Sequence, residues 1–116
     1  MGDNEKKPIL GLTEDIIITN KEHQKKCKAR IDTGATTSSI DKNLAEKLEL
    51  GPYVKTTTVV SSNGRTKRPS VNVNLQLDGT HIKGRFTIAD RAHMKYKVLI
   101  GQNILKKGYL IDPSKE

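Results

Sequence analysis

The clearest pattern in this chain is the strict alternation of apolar and polar residues from Val71 to Leu77. A period of two is typical of a strand with one buried face. Asp78-Gly79 follows it and favours a tight turn, after which residues 81–89 predict a returning strand. The pattern therefore predicts a β-hairpin in the second half of the chain.

The first half predicts a second hairpin. Residues 9–19 include the β-branched run Ile16-Ile17-Ile18-Thr19, which indicates a strand. Residues 20–26 are polar and predict a turn, and residues 27–32 resume a strand with Ala29 and Ile31 on one face. This hairpin would deliver the chain to Asp32.

Shorter elements are predicted around these hairpins. Residues 36–40 favour a short strand, and Asp41 is a suitable N-cap for a helix from Lys42 to Leu48, which Gly51-Pro52 would stop. Residues 54–61 predict a strand, and Asn63-Gly64 after it favours a type I′ turn.

The C-terminal third predicts a buried core strand. Val98-Leu99-Ile100 is wholly apolar and ends at a glycine, and it is followed by a helical turn at residues 102–107 and a last strand at 109–111. Seven or so short strands joined by turns predict a mostly β fold with closed or nearly closed sheet layers.

Composition narrows the class of protein. The chain has 116 residues, of which 34% are hydrophobic, so we expect one domain with a modest core. Its formal net charge of +8 favours acidic partners, and the lone Cys27 excludes an intramolecular disulfide.

No apolar run approaches the ~20 residues of a membrane span. With no apolar signal segment visible, we expect a cytoplasmic protein without a membrane partner.

A candidate catalytic group stands at Asp32-Thr33-Gly34, where the second predicted strand ends. Gly34 lets the backbone bend closely around the carboxylate, although an ordinary strand-ending turn is the alternative interpretation. One carboxylate cannot both activate a water molecule and protonate a leaving amine, whereas two Asp carboxylates about 3 Å apart can share one proton. The chain has no second Asp-Thr-Gly or Asp-Ser-Gly. The partner Asp must therefore come from a second copy, which predicts a homodimer.

Several spaced motifs together resemble those of retropepsins, and most closely the retropepsin-like family labelled ATP-dependent zinc proteases, often encoded beside ATP-grasp amino-acid ligases. The resemblance extends over residues 16–113. Its motifs are Arg30-Ile31-Asp32-Thr33-Gly34-Ala35, Thr37-Ser38-Ser39, Asp90-Arg91 followed by Met94, Val98-Leu99-Ile100-Gly101, and Leu110-Ile111-Asp112-Pro113.

The resemblance implies a retropepsin-like closed β-barrel with one or two short helices, forming a single-lobe peptidase domain at 16–113 after a polar segment at 1–15. It implies Asp32 as the catalytic residue. The active-site loop would add Thr33, Gly34 and Ala35. The substrate-binding flap would contain Ser62, Asn63, Gly64, Arg65, Lys67 and Arg68. Support for the cleft and loop would come from Ile100, Gly101, Gln102 and Asn103. The last strand would enter the sheet of the dimer.

Three positions depart from that family. Its members usually carry Lys at the position of Thr36, commonly His at Asp41, and usually Arg at Gln102, where an ion-pair partner near the subunit contact would be missing. The zinc label finds little support, because the possible ligands His23, Cys27, His81 and His93 form no His-Glu-x-x-His motif and no matched pairs. We expect neither a metal nor another cofactor.

The expected function is endopeptidase activity on peptide or protein substrates. The cations of the flap, Arg65, Lys67 and Arg68, would form either an electropositive lid that favours acidic peptides or a solvated hairpin tip. A partner ligase that appends glutamates would supply such a substrate.

Two other functions stay open. The chain could keep the fold as a non-catalytic module for peptide binding or dimerisation. Nucleic-acid binding through the basic surface is the weaker alternative, because three Tyr, one Phe and no Trp give no obvious stacking platform.

Overall fold

The computed structural model describes residues 7–62 and 64–115. The strands within these residues are β1 (Ile9–Leu10), β2 (Thr13–Asn20), β3 (His23–Ile31), β4 (Ser38–Asp41), β5 (Lys55–Ser61), β6 (Gly64–Leu77), β7 (Thr80–Ala89), β8 (Val98–Ile100) and β9 (Leu110–Ile111). The helices are α1 (Lys42–Lys47) and α2 (Gln102–Leu105). Strands hold more than half of the chain, which confirms the predicted mostly β class.

Six of the strands form a closed barrel. Their order is β2-β3-β8-β4-β7-β6, and the barrel closes because β6 pairs with β2 as well as with β7. β3 and β8 run parallel, so that Ile31 lies beside Ile100 where both strands end. β5 lies outside the barrel and pairs with the first half of β6. The structure therefore confirms the predicted closed barrel with two short helices.

The core lies inside the barrel and follows the alternation in the sequence. In β6 the four apolar residues of the alternating run are buried, and the polar residues between them are exposed. The centre of the barrel also holds Phe86 of β7 and both ends of β8, Val98 and Ile100, all fully buried. Full burial of a side chain the size of Phe86 stabilises the fold by about 1.5–3 kcal/mol.

The two predicted glycine-containing turns, Asp78-Gly79 and Asn63-Gly64, have different outcomes. Asp78 and Gly79 both have positive φ, 53° and 77°, as the predicted tight turn requires. At the other hairpin Ser61 pairs with Gly64, which already belongs to β6. Asn63 lies outside the described residues, so its part in that turn stays a prediction.

The predicted turn at residues 20–26 is wrong in extent. β2 runs to Asn20 and β3 begins at His23, so only Lys21 and Glu22 connect the strands. Residues 24–26 are polar because this end of β3 is exposed on both faces. The hairpin itself, and the common buried face of Ala29 and Ile31, are confirmed.

Helix α1 begins as predicted and ends earlier. Asp41 accepts hydrogen bonds from the backbone N–H groups of Asn43 (3.1 Å) and Leu44 (3.4 Å), which is N-cap geometry. Leu48 is the C-cap, and Glu49 turns the chain with a φ of 55°. The helix therefore ends at Lys47, one residue before the predicted end at Leu48.

The ends of the described chain form a separate two-stranded sheet in which β1 and β9 run parallel. The predicted first strand, 9–19, is divided into β1 and β2 at residues 11 and 12. Gly11 lies against the backbone of Lys115, where a Cβ would be 2.5 Å from the carbonyl oxygen. Helix α2 is shorter than the predicted 102–107, and β9 begins at Leu110. Neither described helix is long and apolar enough to cross a membrane.

Candidate active site

Asp32 lies directly after β3, at the point where the chain leaves the barrel. Its backbone N–H donates to the carbonyl of Ile100 at 2.9 Å, which continues the β3–β8 pairing by one bond. Its carboxylate oxygen Oδ1 accepts a hydrogen bond from the N–H of Gly34 at 2.9 Å. A Cβ on residue 34 would lie 3.3 Å from that oxygen, which is tighter than an ordinary contact. The half-buried carboxylate is thus held by its own loop.

The loop is joined to helix α2 by three hydrogen bonds. Backbone N–H groups of α2 donate to the carbonyls of Ala35 (2.8 Å, from Gln102) and Thr36 (3.2 Å, from Asn103). The side-chain amide of Gln102 also donates to the carbonyl of Thr33 at 2.8 Å. The predicted loop residues and the predicted supporting residues therefore meet.

A polar cluster under the loop fixes β4 to the same helix. Oδ1 of Asn103 accepts hydrogen bonds from both N (2.9 Å) and Oγ (2.7 Å) of Ser38, and its Nδ2 donates to the carbonyl of Arg85 (2.8 Å). The Ser38 hydroxyl in turn accepts from the N–H of Gly101 at 2.9 Å. Any Cβ at Gly101 would lie 2.5 Å from the carbonyl oxygen of Thr37, so only glycine fits at this position.

The hairpin β5–β6 is the element that sequence analysis identified as the flap. Ser62, Gly64, Arg65 and Lys67 are exposed, whereas Arg68 is half-buried. Asn63 lies outside the described residues. Among the three cations of the predicted lid, only Arg68 lines the cleft beside the Asp32 loop.

That cleft has a volume of about 440 Å³ and lies between the loop after Asp32 and strand β5. It begins at Gly34 and Ala35, two and three residues beyond the carboxylate. The apolar residues Val59 and Leu99 line it together with Arg68 and Arg91. The cleft is wide enough for a side chain and carries positive charge.

Arg91 also lines the cleft. The sequence marks it only as part of the Asp90-Arg91 motif and does not predict this position. Its N–H donates to Oδ1 of Asp41 at 2.7 Å, and its Nε donates to the carbonyl of Tyr96 at 3.0 Å. Asp41 therefore both caps α1 and fixes Arg91, which gives this departure from the family's usual His a structural role. Thr36, another departure, is exposed at the cleft.

The residues do not fit the zinc that the family label implies. No group of three or more His, Cys, Asp or Glu side chains is placed to hold a metal ion in residues 7–62 and 64–115. His23 instead contacts Glu49, with 3.1 Å between Nε2 and Oε2. Burial raises the pKa of the half-buried Cys27 thiol, against the opposing charge of Lys25.

Comparison with solved structures defines the class of protein. The protease of EIAV, solved with the inhibitor HBY-793, aligns with a TM-score of 0.66 at 25% identity, covering 92% of each chain. The protease of simian foamy virus (mac) aligns with a TM-score of 0.60 at 15% identity, covering 81% of this chain and 91% of its own. The closed barrel and the Asp32 loop thus define a retropepsin-like aspartic peptidase fold.

The family follows from the sequence. A family model described as "gag-polyprotein putative aspartyl protease" matches residues 19–107, and the chain belongs to that family. A Legionella pneumophila protein of unknown function (Lpg0085, DUF785) shares the fold, with a TM-score of 0.66 and 21% identity over 93% of this chain and 95% of its own. None of the curated proteins matches this chain.

Proposed function

We propose that this chain is one subunit of a homodimeric aspartic endopeptidase, with one Asp32 from each subunit in the active site. The observation that carries the proposal is the position of Asp32, which is fixed on a short loop at a strand end beside a cleft. The chain supplies a single Asp-Thr-Gly, so a complete pair of carboxylates needs a second copy. Membership of an aspartyl protease family supports the same reaction.

The two carboxylates would divide the chemistry between them. With one proton shared, the ionised Asp32 takes a proton from a water molecule that attacks the scissile carbonyl carbon. The protonated Asp32 gives its proton to the carbonyl oxygen. The first Asp32 then donates the proton it took from water to the amine nitrogen, the C–N bond breaks, and the second Asp32 regains a proton as the carboxyl product forms. The hydrogen bond from Gly34 to Oδ1 keeps each carboxylate in its loop, and no covalent enzyme intermediate forms.

The two-stranded sheet of β1 and β9 supports the choice of a dimer. Its paired residues Ile9 and Leu110 are 47% and 51% exposed, and nearby Leu12 is 54% exposed. The second edge of β9 pairs with no strand in the described part of the chain. A second copy that covers these side chains would bury apolar surface and would stabilise both subunits by mass action.

Acidic peptides are the proposed substrates. Arg68 lines the cleft, and Arg65 and Lys67 add positive charge to the same hairpin. Positive charge around a cleft raises the local concentration of anionic ligands. The resemblance to proteins associated with ATP-grasp ligases suggests glutamate-modified proteins as one source, with the ligase as a functional partner.

A non-catalytic peptide-binding or dimerisation module is the second candidate. It is favoured by Thr36, which stands at the cleft where members of the resembling family usually carry Lys. Such a module would bind peptides without turnover.

Cleavage-site profiling on a mixed peptide library tests the proposed function. We expect the wild-type protein to cut internal peptide bonds and the Asp32→Asn variant to cut none, because Asn keeps the shape of the side chain but cannot act as a base. Circular dichroism confirms that the variant is folded. Peptide binding by the wild type without any cleavage would support the second candidate, and equal cleavage by both proteins would reject the role of Asp32.

A further inference from the structure

Arg91 is a buried cation that its neighbours hold in place. Its residue is only 9% exposed. Its backbone N–H donates a hydrogen bond to Asp41, and its Nε donates one to the carbonyl of Tyr96, so both the backbone and the guanidinium are fixed. Lys97 donates to the carbonyl of Arg91 at 3.2 Å. The group is therefore positioned before any ligand arrives.

The guanidinium of Arg91 has no direct ion-pair partner within the described residues. Its only side-chain hydrogen bond within residues 7–62 and 64–115 goes to a neutral carbonyl. Asp41 uses its two oxygens for backbone N–H groups, among them that of Arg91. Burial and the nearby cations Arg30 and Arg68 lower the pKa of Arg91, while the negative charges of Asp41 and Asp32 oppose this. A buried guanidinium that forms no direct ion pair is costly, so an anionic group in contact with it would be favoured.

Arg91 lies at the cleft beside the Asp32 loop, where an anionic group of a substrate can bind. Arg91 and Arg68 line one cleft, and Gly34 and Ala35 of the catalytic loop line it as well. Arg68 is half-buried and likewise makes no ion pair within the described residues. The cleft thus has two arginines in its lining, and a guanidinium can bind a carboxylate through two parallel N–H donors.

We propose that Arg91, together with Arg68, binds a carboxylate of the substrate beside the scissile bond and so determines specificity. The inference rests on the proposed peptidase function and assigns a charged group to a position next to the cut. The carboxylate belongs either to a Glu or Asp side chain or to the C-terminus of the peptide, and both sources share this chemistry.

Matched peptides test the proposal. Starting from one peptide that the enzyme cuts, each Glu near the cut is replaced by Gln, and each peptide is made with a free and with an amidated C-terminus. We expect wild-type kcat/KM to fall at least about tenfold when the recognised carboxylate is neutralised. A fall on Glu→Gln replacement assigns a side chain, and a fall on amidation assigns the terminus. Equal kcat/KM for all peptides would overturn the proposal.

Variants then locate the preference. Arg91→Gln should abolish the discrimination between carboxylate-bearing and neutral peptides, and Arg91→Lys should keep only part of it, because an ammonium lacks the fork. Arg85→Gln, an exposed arginine outside this cleft, is the matched control and should discriminate like wild type. Undiminished discrimination in Arg91→Gln would overturn the proposal. Should Arg91→Gln fail to fold, Arg68→Gln decides by the same comparison.

A binding measurement separates this inference from the proposed function. Fluorescence anisotropy of the same peptides on Asp32→Asn needs no turnover. Tighter binding of the carboxylate-bearing peptides supports the subsite even if the wild type proves inactive, and equal binding of all peptides rejects the subsite even if the wild type cleaves.

Discussion

The side-chain amide of Gln102 donates a hydrogen bond of 2.8 Å to the carbonyl of Thr33, inside the Asp-Thr-Gly triplet. Compared with the related family, Gln102 stands where an Arg able to form an ion pair is usual. The structure shows that Gln102 connects helix α2 to the loop that carries Asp32. Gln102 therefore supports the loop even though it differs from the residue usual in the related family.

Replacing Gln102 tests that support. We expect Gln102→Ala to lower kcat several-fold to about a hundredfold with little change in KM, because a small displacement of the loop misplaces the carboxylate. Gln102→Arg restores a donor and should keep most of the activity. Steady-state kinetics on one peptide check both variants, and Lys106→Ala, at an exposed position just after α2, is the control. Wild-type kinetics in Gln102→Ala would show that the loop needs no such bond.

Asn103 is expected to matter mainly for stability. Asn103→Ala leaves the N–H of Ser38 and the carbonyl of Arg85 without their side-chain partner. We expect a loss of about 1–3 kcal/mol in the free energy of unfolding, measured by urea denaturation. Asn74→Ala, exposed on the outer face of β6, should change it by no more than about 0.5 kcal/mol. Equal effects of the two substitutions would contradict the assigned role.

Cys27 provides a pH-dependent prediction. Burial raises the pKa of its thiol, and the charge of Lys25 opposes this while that of Asp15 adds to it. The neutral thiol is thus favoured in the fold, and its contribution to stability is complete below the thiol pKa of the unfolded chain, about 8.5. That contribution is lost as the pH rises from there through the folded pKa.

Two measurements check this prediction. Iodoacetamide should alkylate Cys27 several-fold more slowly in the folded protein than in urea at pH ~8, because only the thiolate reacts. The stability difference between wild type and Cys27→Ala should shrink above pH ~8.5. Alkylation at the unfolded rate in the native protein would contradict the burial of the thiol.

Chelators are expected to leave peptidase activity unchanged. The proposed mechanism activates water between two carboxylates, and the described residues bring no metal-ligand cluster together. Activity before and after treatment with EDTA, measured on one peptide, is the check. Loss of activity that zinc restores would contradict the aspartic mechanism.

Local sequence signals predicted much of the fold. The alternation along β6 and the Asp78-Gly79 turn determine a hairpin through short-range geometry, and Asp41 marks the start of α1 through its own capping bonds. The extent of the first hairpin was not predictable, because residues 24–26 are polar on an exposed strand end and resemble a turn in composition.

The site was predictable only in part, because some of its residues are placed by contacts distant in sequence. Asp32 and its loop are marked by one contiguous motif. The position of Arg91 depends on Asp41, fifty residues earlier, and on the packing of β4 against β7 and β8. Contacts between residues so far apart in sequence leave no local pattern. The position of Arg91 at the cleft therefore emerged only from the fold.

A subunit-mixing experiment tests the central claim, that two copies of Asp32 make one active site. Wild-type and Asp32→Asn chains are unfolded together, refolded at fixed total concentration and assayed across a range of mixing ratios. If each site needs Asp32 from both subunits, activity follows the square of the wild-type fraction, so that an equal mixture retains about one quarter. A linear fall, with about one half of the activity left in the equal mixture, would show that a single chain carries a complete site and would contradict the account.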